Sequence, residues 1–150
     1  MPYLIQTVVL LFLPLSTLAM TDNDCMAEAM YFEARGEGWR GMLAVGVVAR
    51  NRVRDPRYPG TVCGVVHQRS RNRVCAFSYY CDGLPERADD QQLWSLAVRM
   101  ADAVISTESL TIDGVADATH YHASHITPYW APSLTRNGRI GNHIFYTWER

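Results

Sequence analysis

The sequence predicts a single α+β domain, mainly helical, and three observations carry that expectation. Apolar residues recur at spacings of three and four through much of the chain before Thr107, which is the helical period. The tail from Thr119 to Trp148 instead mixes aromatic, His, Pro and Gly residues without a clean period, which suits irregular chain with short strands. Of the 150 residues, 48% are apolar and 19% charged, with a formal net charge of -1. That is enough core-forming material for one domain and too little charge for a disordered chain or a strongly nucleic-acid-binding one.

The N-terminus reads as an export signal. Leu4 to Leu18 is an uncharged run rich in Leu, Val, Ile and Phe, and small Thr17 and Ala19 suit a signal-peptidase site. Residues 1–19 are therefore expected to be a cleaved secretory signal and 20–150 the working domain, periplasmic or extracellular. The run lacks a preceding Lys or Arg, which leaves an uncleaved anchor as the alternative. Its length of about 15 residues, interrupted by Pro14, falls short of the roughly 20 that a spanning helix needs. Cys25, Cys63, Cys75 and Cys81 all follow the expected cut. An even count in an exported chain favours disulfides, with three pairings open, over buried free thiols or zinc ligation.

The elements follow in order. Thr21-Asp22-Asn23-Asp24 offers helix caps, and Met26, Ala27, Met30, Tyr31 and Ala34 then define an amphipathic helix that ends at Gly36-Glu37-Gly38. From Trp39 to Val53 apolar residues occupy nearly all sides, with Gly41 and Gly46 allowing close approach, so a buried central helix is expected. Pro56, Pro59 and Gly60 break the chain before Thr61 caps a short helix reaching toward Gln68. Little regular structure is expected until Asp89 or Asp90 caps a helix carrying Leu93, Leu96, Ala97, Met100, Ala101, Val104 and Ile105. Asp113-Gly114 marks a turn.

All 14 basic residues are Arg, and seven of them, Arg50, Arg52, Arg54, Arg57, Arg69, Arg71 and Arg73, fall in one short stretch opposed only by Asp55. This predicts a basic face suited to an anionic polymer, or else an ordinary solvated loop surface.

For chemistry, Glu33 stands out at the last turn of the first helix, flanked by Tyr31, Phe32 and Ala34. A carboxyl held against aromatic surface loses hydration, which penalises its charged form and suits a proton donor. The competing reading is a surface Glu paired with Arg35, Arg40 or Arg50. Glu37 lies four residues on, but the intervening Gly36 breaks the helix, and Glu28 faces elsewhere. No linear motif supplies the second carboxylate of a standard glycosidase, and Asp82 and Asp117 are the distant options. His120-x-His122-x2-His125 could bind a metal, because alternate strand residues share a face, or could simply line a cleft. His143 is open between cleft and core. No G-x-S-x-G, P-loop or G-x-G-x-x-G is present.

Several segments together resemble the SleB/CwlJ-type cell wall hydrolases. They are AEAMYFEARGE (Ala27 to Glu37), GMLAVGVVARNRV (Gly41 to Val53), YPGTVCGVVHQ (Tyr58 to Gln68), FSYYCDG (Phe77 to Gly83), ATHYHA (Ala118 to Ala123) and IGNHIFY (Ile140 to Tyr146). The resemblance implies a lysozyme-like single domain that cleaves peptidoglycan glycan strands. The first Glu of E-A-R-G-E, Glu33 here, would be the catalytic acid. Relatives of lytic transglycosylase type use one carboxyl first as acid and then as base, closing a 1,6-anhydro ring on muramic acid, so a second carboxylate is not required. Glu37, Phe77, Ser78, Tyr121, His122 and His143 are the expected substrate-binding residues. The resemblance calls for no cofactor or metal, and a monomer acting on glycan strands, with no nucleic-acid partner, is expected. The family commonly has Gln before Phe-Ser and Trp after it, where this chain has Ala76 and Tyr79. That departure motivates one alternative, a noncatalytic peptidoglycan-binding module, while the histidine spacing motivates another, a zinc-dependent wall amidase or peptidase.

Overall fold

The computed structural model describes residues 19–149. All of the expected signal segment except Ala19 lies outside the described residues. Among those described, no helix is long and apolar enough to cross a membrane.

Helix α1 (Asp22–Ala34) starts at a capping box in which the Thr21 hydroxyl accepts from the Asp24 backbone and the Asp24 carboxylate accepts from the Thr21 backbone at 2.9 Å. The sequence suggests an amphipathic helix, but Cys25, Met26, Ala27, Ala29, Met30, Tyr31 and Ala34 are all buried. The three helices that follow it in the chain enclose it on most sides. Helix α2 (Gly38–Arg54) is the expected buried centre. A Cβ at Gly46 would lie 2.0 Å from Met30 Cε, so the absence of a side chain there lets the two helices approach. Thr61 caps α3 (Val62–Val66), and Cys25–Cys63 bonds α3 to α1. The second disulfide, Cys75–Cys81, spans a short loop that includes a 3-10 turn at Ser78–Cys81. Asp90 caps α4 (Gln91–Ser106) by accepting from the backbones of Gln92 and Leu93.

The tail forms the short strands expected of it. Strands β1 (His120–Ala123), β2 (Thr135–Ile140) and β3 (His143–Thr147) make an antiparallel sheet in the order β1-β3-β2. Tyr121 pairs with Phe145 and Ala123 with His143. Alternation then sends Tyr121, His143 and Phe145 to one face and His120, His122 and Tyr146 to the other.

The basic stretch is not one face. Arg50 and Arg52 are only 7% exposed. Arg50 donates to the carbonyls of Val104, Thr107 and Leu110, closing the end of α4, and Arg52 Nε donates to Thr119 O at 2.7 Å. Arg54 reaches Glu108 O, and Arg57 pairs with Asp55 beneath the Trp148 ring. Arg69, Arg71 and Arg73 are exposed on a loop, with the Arg69 guanidinium 5.0 Å over the Tyr80 ring.

Candidate active site

Glu33 ends α1 with its carboxylate half-buried, at the meeting point of three elements. From the 3-10 turn, Ser78 Oγ donates to Glu33 Oε1 at 3.3 Å and the Tyr79 backbone N–H approaches the same oxygen at 3.5 Å. From β1, the Tyr121 hydroxyl donates to Oε2 at 3.1 Å. Both carboxylate oxygens are therefore oriented, which fixes the plane in which a proton would be given or taken.

The donor from β1 is permanent. Burial, with the Glu33 charge next to it, pushes the Tyr121 hydroxyl well above its ordinary value, so it remains an O–H. Its ring rests on Phe77, Phe145 and His143 at centroid distances of 6.3, 5.6 and 5.1 Å. Behind Phe77 lies the Arg52 guanidinium, 5.2 Å from the ring centroid and 5.5 Å from that of Tyr58. Burial lowers the Arg52 pKa, while Tyr121, Tyr58 and Glu33 act in the opposite direction.

Of the residues expected to bind substrate, Ser78 and Tyr121 are joined to Glu33, and His143 stands beside Tyr121. Burial lowers the His143 pKa against the pull of Glu37 and Glu33, and its Nδ1 is buried without a hydrogen-bond partner. Glu37 is used differently. It occupies the N-cap position of α2, yet its Oε2 accepts from the Asn142 backbone at 2.7 Å, tying the β2–β3 turn to the start of the helix. Gly141 in that turn has φ +55°, and a Cβ there would lie 1.6 Å from the same oxygen.

Two of the expected residues are placed away from the surface beside Glu33. Phe77 is fully buried, so it supports Tyr121 and Arg52 from beneath and does not present a surface to a ligand. His122 is 6% exposed and lies on the sheet face turned away from Glu33. Its Nδ1–H donates to Ala123 O at 2.9 Å and its Nε2 pairs with the Tyr146 hydroxyl at 3.0 Å. His120 bonds Thr119 Oγ1, and His125 is exposed. Among the described residues no three His, Cys, Asp or Glu groups are placed to hold a metal ion.

Three participants were not read from the sequence as part of a site. Arg52 belongs to the basic stretch by charge, yet it continues the Val45 and Val48 spacing and so points inward. Tyr79 stacks on Phe32 at 5.1 Å, and its hydroxyl donates to Glu28 at 3.3 Å. Glu28, which also receives His67 Nε2 at 3.5 Å, is thus a second carboxylate held apart from the first. A hollow of about 310 Å3 lies against this end of α1, lined by Phe32, Arg35, Tyr79, Asp82, Leu84 and Asp89 among others. A larger one, about 980 Å3, shares none of the residues around Glu33; it opens between the end of α2 and the sheet and includes Asp117.

Known proteins resemble this chain in sequence and in fold. The Cell Wall Hydrolase family model matches residues 36–146, beginning just after Glu33. The spore cortex-lytic enzyme of Halalkalibacterium halodurans is 33% identical over 128 residues, covering 83% of this chain and 35% of that protein. That of Bacillus subtilis is 29% identical, covering 83% and 38%. The chain thus spans little more than a third of the length of these curated relatives. Among solved structures, the catalytic domain of the Bacillus cereus SleB protein superposes with a TM-score of 0.63 at 28% identity, covering 84% of this chain and 89% of that one. The catalytic domain of the germination-specific lytic transglycosylase SleB from Bacillus anthracis gives 0.62 at 26%, covering 88% and 98%.

Proposed function

Since the chain belongs to the cell wall hydrolase family, we propose that it is an exported enzyme that cleaves peptidoglycan glycan strands between N-acetylmuramic acid and N-acetylglucosamine, with Glu33 as its acid and base. The observation that carries the reading is the convergence of Tyr121, Ser78 and the Tyr79 backbone on one carboxyl. The two other carboxylates of the E-x4-E-x3-E run are engaged elsewhere, Glu28 with Tyr79 and His67 and Glu37 with Asn142. One carboxyl, held at both oxygens, suits a lytic transglycosylase better than a paired-carboxylate glycosidase.

In this mechanism the protonated Glu33 gives its proton to the glycosidic oxygen, and the bond from that oxygen to the muramic C1 breaks. The resulting carboxylate takes the proton of the muramic C6 hydroxyl as O6 bonds to C1, which closes the 1,6-anhydro ring and restores the acid. Tyr121 and Ser78 hold the carboxyl plane through both transfers. The half-buried His143 imidazole, with an unpartnered Nδ1, is the remaining polar group beside them. Two disulfides fit an oxidising, extracytoplasmic location.

Mass spectrometry of the soluble products from purified sacculi tests the proposal, with Glu33→Gln in parallel. Glu33-dependent anhydromuropeptides are expected. Reducing muropeptides would instead make the enzyme a hydrolase using water in place of the C6 hydroxyl, and released peptides would overturn the assignment.

A further inference from the structure

Four of the seven clustered arginines donate to carbonyl or carboxylate oxygens of the fold; of the other three, Arg69 lies over the Tyr80 ring at 5.0 Å, and its charge, like those of Arg71 and Arg73, is turned to solvent. Arg69, Arg71 and Arg73 are exposed and form no salt bridge among the described residues. No Asp or Glu occurs between Asp55 and Asp82 to neutralise them. A solvated loop of this kind would ordinarily be loose, but this one is built. The Ser70 N–H donates to Val74 O at 2.8 Å, Arg73 N–H to Ser70 O at 2.9 Å, and Val74 N–H to Ser70 Oγ at 3.1 Å. Arg69 bridges Cys75, and Ala76 N–H donates to Gln68 O at 2.9 Å. Arg73 is held at φ 61°, the one non-glycine residue at positive φ among those described, in a region that costs an L-residue about 1–2 kcal/mol. An arginine kept there, where Gly or Asn is preferred, points from backbone strain to use.

The loop is also joined to the candidate site. Cys75 closes it and bonds to Cys81, the last residue of the 3-10 turn that supplies Ser78 and Tyr79 to Glu33. The loop is therefore covalently tied to the turn whose Ser78 and Tyr79 meet Glu33. Resting on the glycan-strand reading above, we infer that Arg69, Arg71 and Arg73 dock the carboxylates of the peptide stems carried by the same peptidoglycan strand. Peptide stems hang from muramic acid, the sugar whose bond faces Glu33, and end in carboxylates that guanidinium groups bind in charge-assisted pairs.

The test measures sedimentation with purified sacculi in a Glu33→Gln background, so that cleavage does not consume the ligand. Adding Arg69→Gln, Arg71→Gln and Arg73→Gln together is expected to weaken binding about tenfold at about 50 mM salt and to flatten its salt dependence. The triple Lys variant, which keeps the charges but not the guanidinium fork, should bind more tightly than the triple Gln variant and more weakly than the parent. Sacculi whose carboxylates have been amidated should bind the parent as weakly as untreated sacculi bind the triple Gln variant. Equal binding by parent and triple Gln variant overturns the inference, as does loss of binding only after phosphate polymers are stripped. A circular dichroism spectrum and melting temperature matching the parent confirm that the triple variant is folded. Cleavage by the Glu33-intact enzyme is scored separately, so failure of the glycan-strand reading leaves a distinct signature, undegraded sacculi.

Discussion

The two faces of strand β1 carry opposite kinds of side chain and do opposite things. On one face Tyr121 donates to Glu33 and packs with His143 and Phe145. On the other, His120 and His122 lie among Trp130, Trp148 and Tyr146 at centroid distances between 5.1 and 5.9 Å, with ring nitrogens committed to Thr119, Ala123 and Tyr146. Two of the three histidines of the sheet form the structural face, and a phenol, a phenyl ring and the third imidazole, His143, form the face that meets the carboxyl. Reactivity is thus assigned by which way the pleat turns a side chain and by the partners it finds there, not by residue type.

The sharpest way to break this comparison is at its focus. Glu33→Gln keeps the shape and the acceptor oxygen but cannot supply a proton, and a loss of about 10²–10⁴ in glycan-strand cleavage is expected in a turbidity or product assay. Retention of more than a few per cent of the rate would remove Glu33 from the mechanism. Next come the two faces themselves. Tyr121→Phe should lower kcat by about tenfold with little change in melting temperature, since it deletes one hydrogen bond to a group that changes charge. His122→Phe should do the reverse, leaving kcat within about twofold while costing about 1–3 kcal/mol in urea unfolding, because the Tyr146 hydroxyl and Ala123 carbonyl lose a partner. If His122→Phe abolished turnover in a fully stable protein, the assignment of the faces would be inverted.

A smaller effect is expected where the two faces share a support. Glu37→Ala frees the Asn142 N–H and with it the turn that sets His143. A KM increase of a few fold is expected with kcat largely kept, because the acid and its donors are untouched. Equal loss in kcat and kcat/KM would instead put Glu37 in the chemistry.

Local chemistry made the helices legible. Thr21, Thr61 and Asp90 cap as their residue types suggest, and the glycine break after Ala34 falls where the chain turns from α1 into α2. Glu33 could be named because a motif carries it, and the H-x-H spacing correctly placed two histidines on one face. Which face met Glu33 could not be read, because that depends on pairing β1 with β3 from far along the chain. Arg52 shows a different limit. Charge-based reading sent it to the surface, whereas its helical spacing from Val45 and Val48 sent it inward, and the packing of Phe77 and Tyr58 around the guanidinium decided for spacing. Disulfide pairing likewise waited on tertiary structure, since Cys63 reaches Cys25 only when α3 docks on α1.

The last prediction concerns the structural face and should be seen in stability without a matching change in mechanism. Burial, reinforced by Arg52 and Arg57, lowers the His120 pKa from 6.5 to about 4. Its other neighbours, Thr119, Trp130 and Trp148, bring no negative charge to offset this. Below pH 6.5 the unfolded chain therefore binds a proton that the folded protein refuses until about pH 4. The unfolded state holds more protons in that window, so stability falls as the pH is lowered through it and is fully present above it. His120→Gln removes this contribution, and its urea midpoint should decline less steeply than the parent's between pH 6.5 and 4. Carboxylates titrating in the same window contribute equally to both proteins and cancel in the difference. Tyr121→Phe, on the opposite face, should keep the parent's slope. Parallel pH profiles for parent and His120→Gln would mean that His120 titrates as an ordinary exposed histidine, and the aromatic face would then be open to water rather than packed.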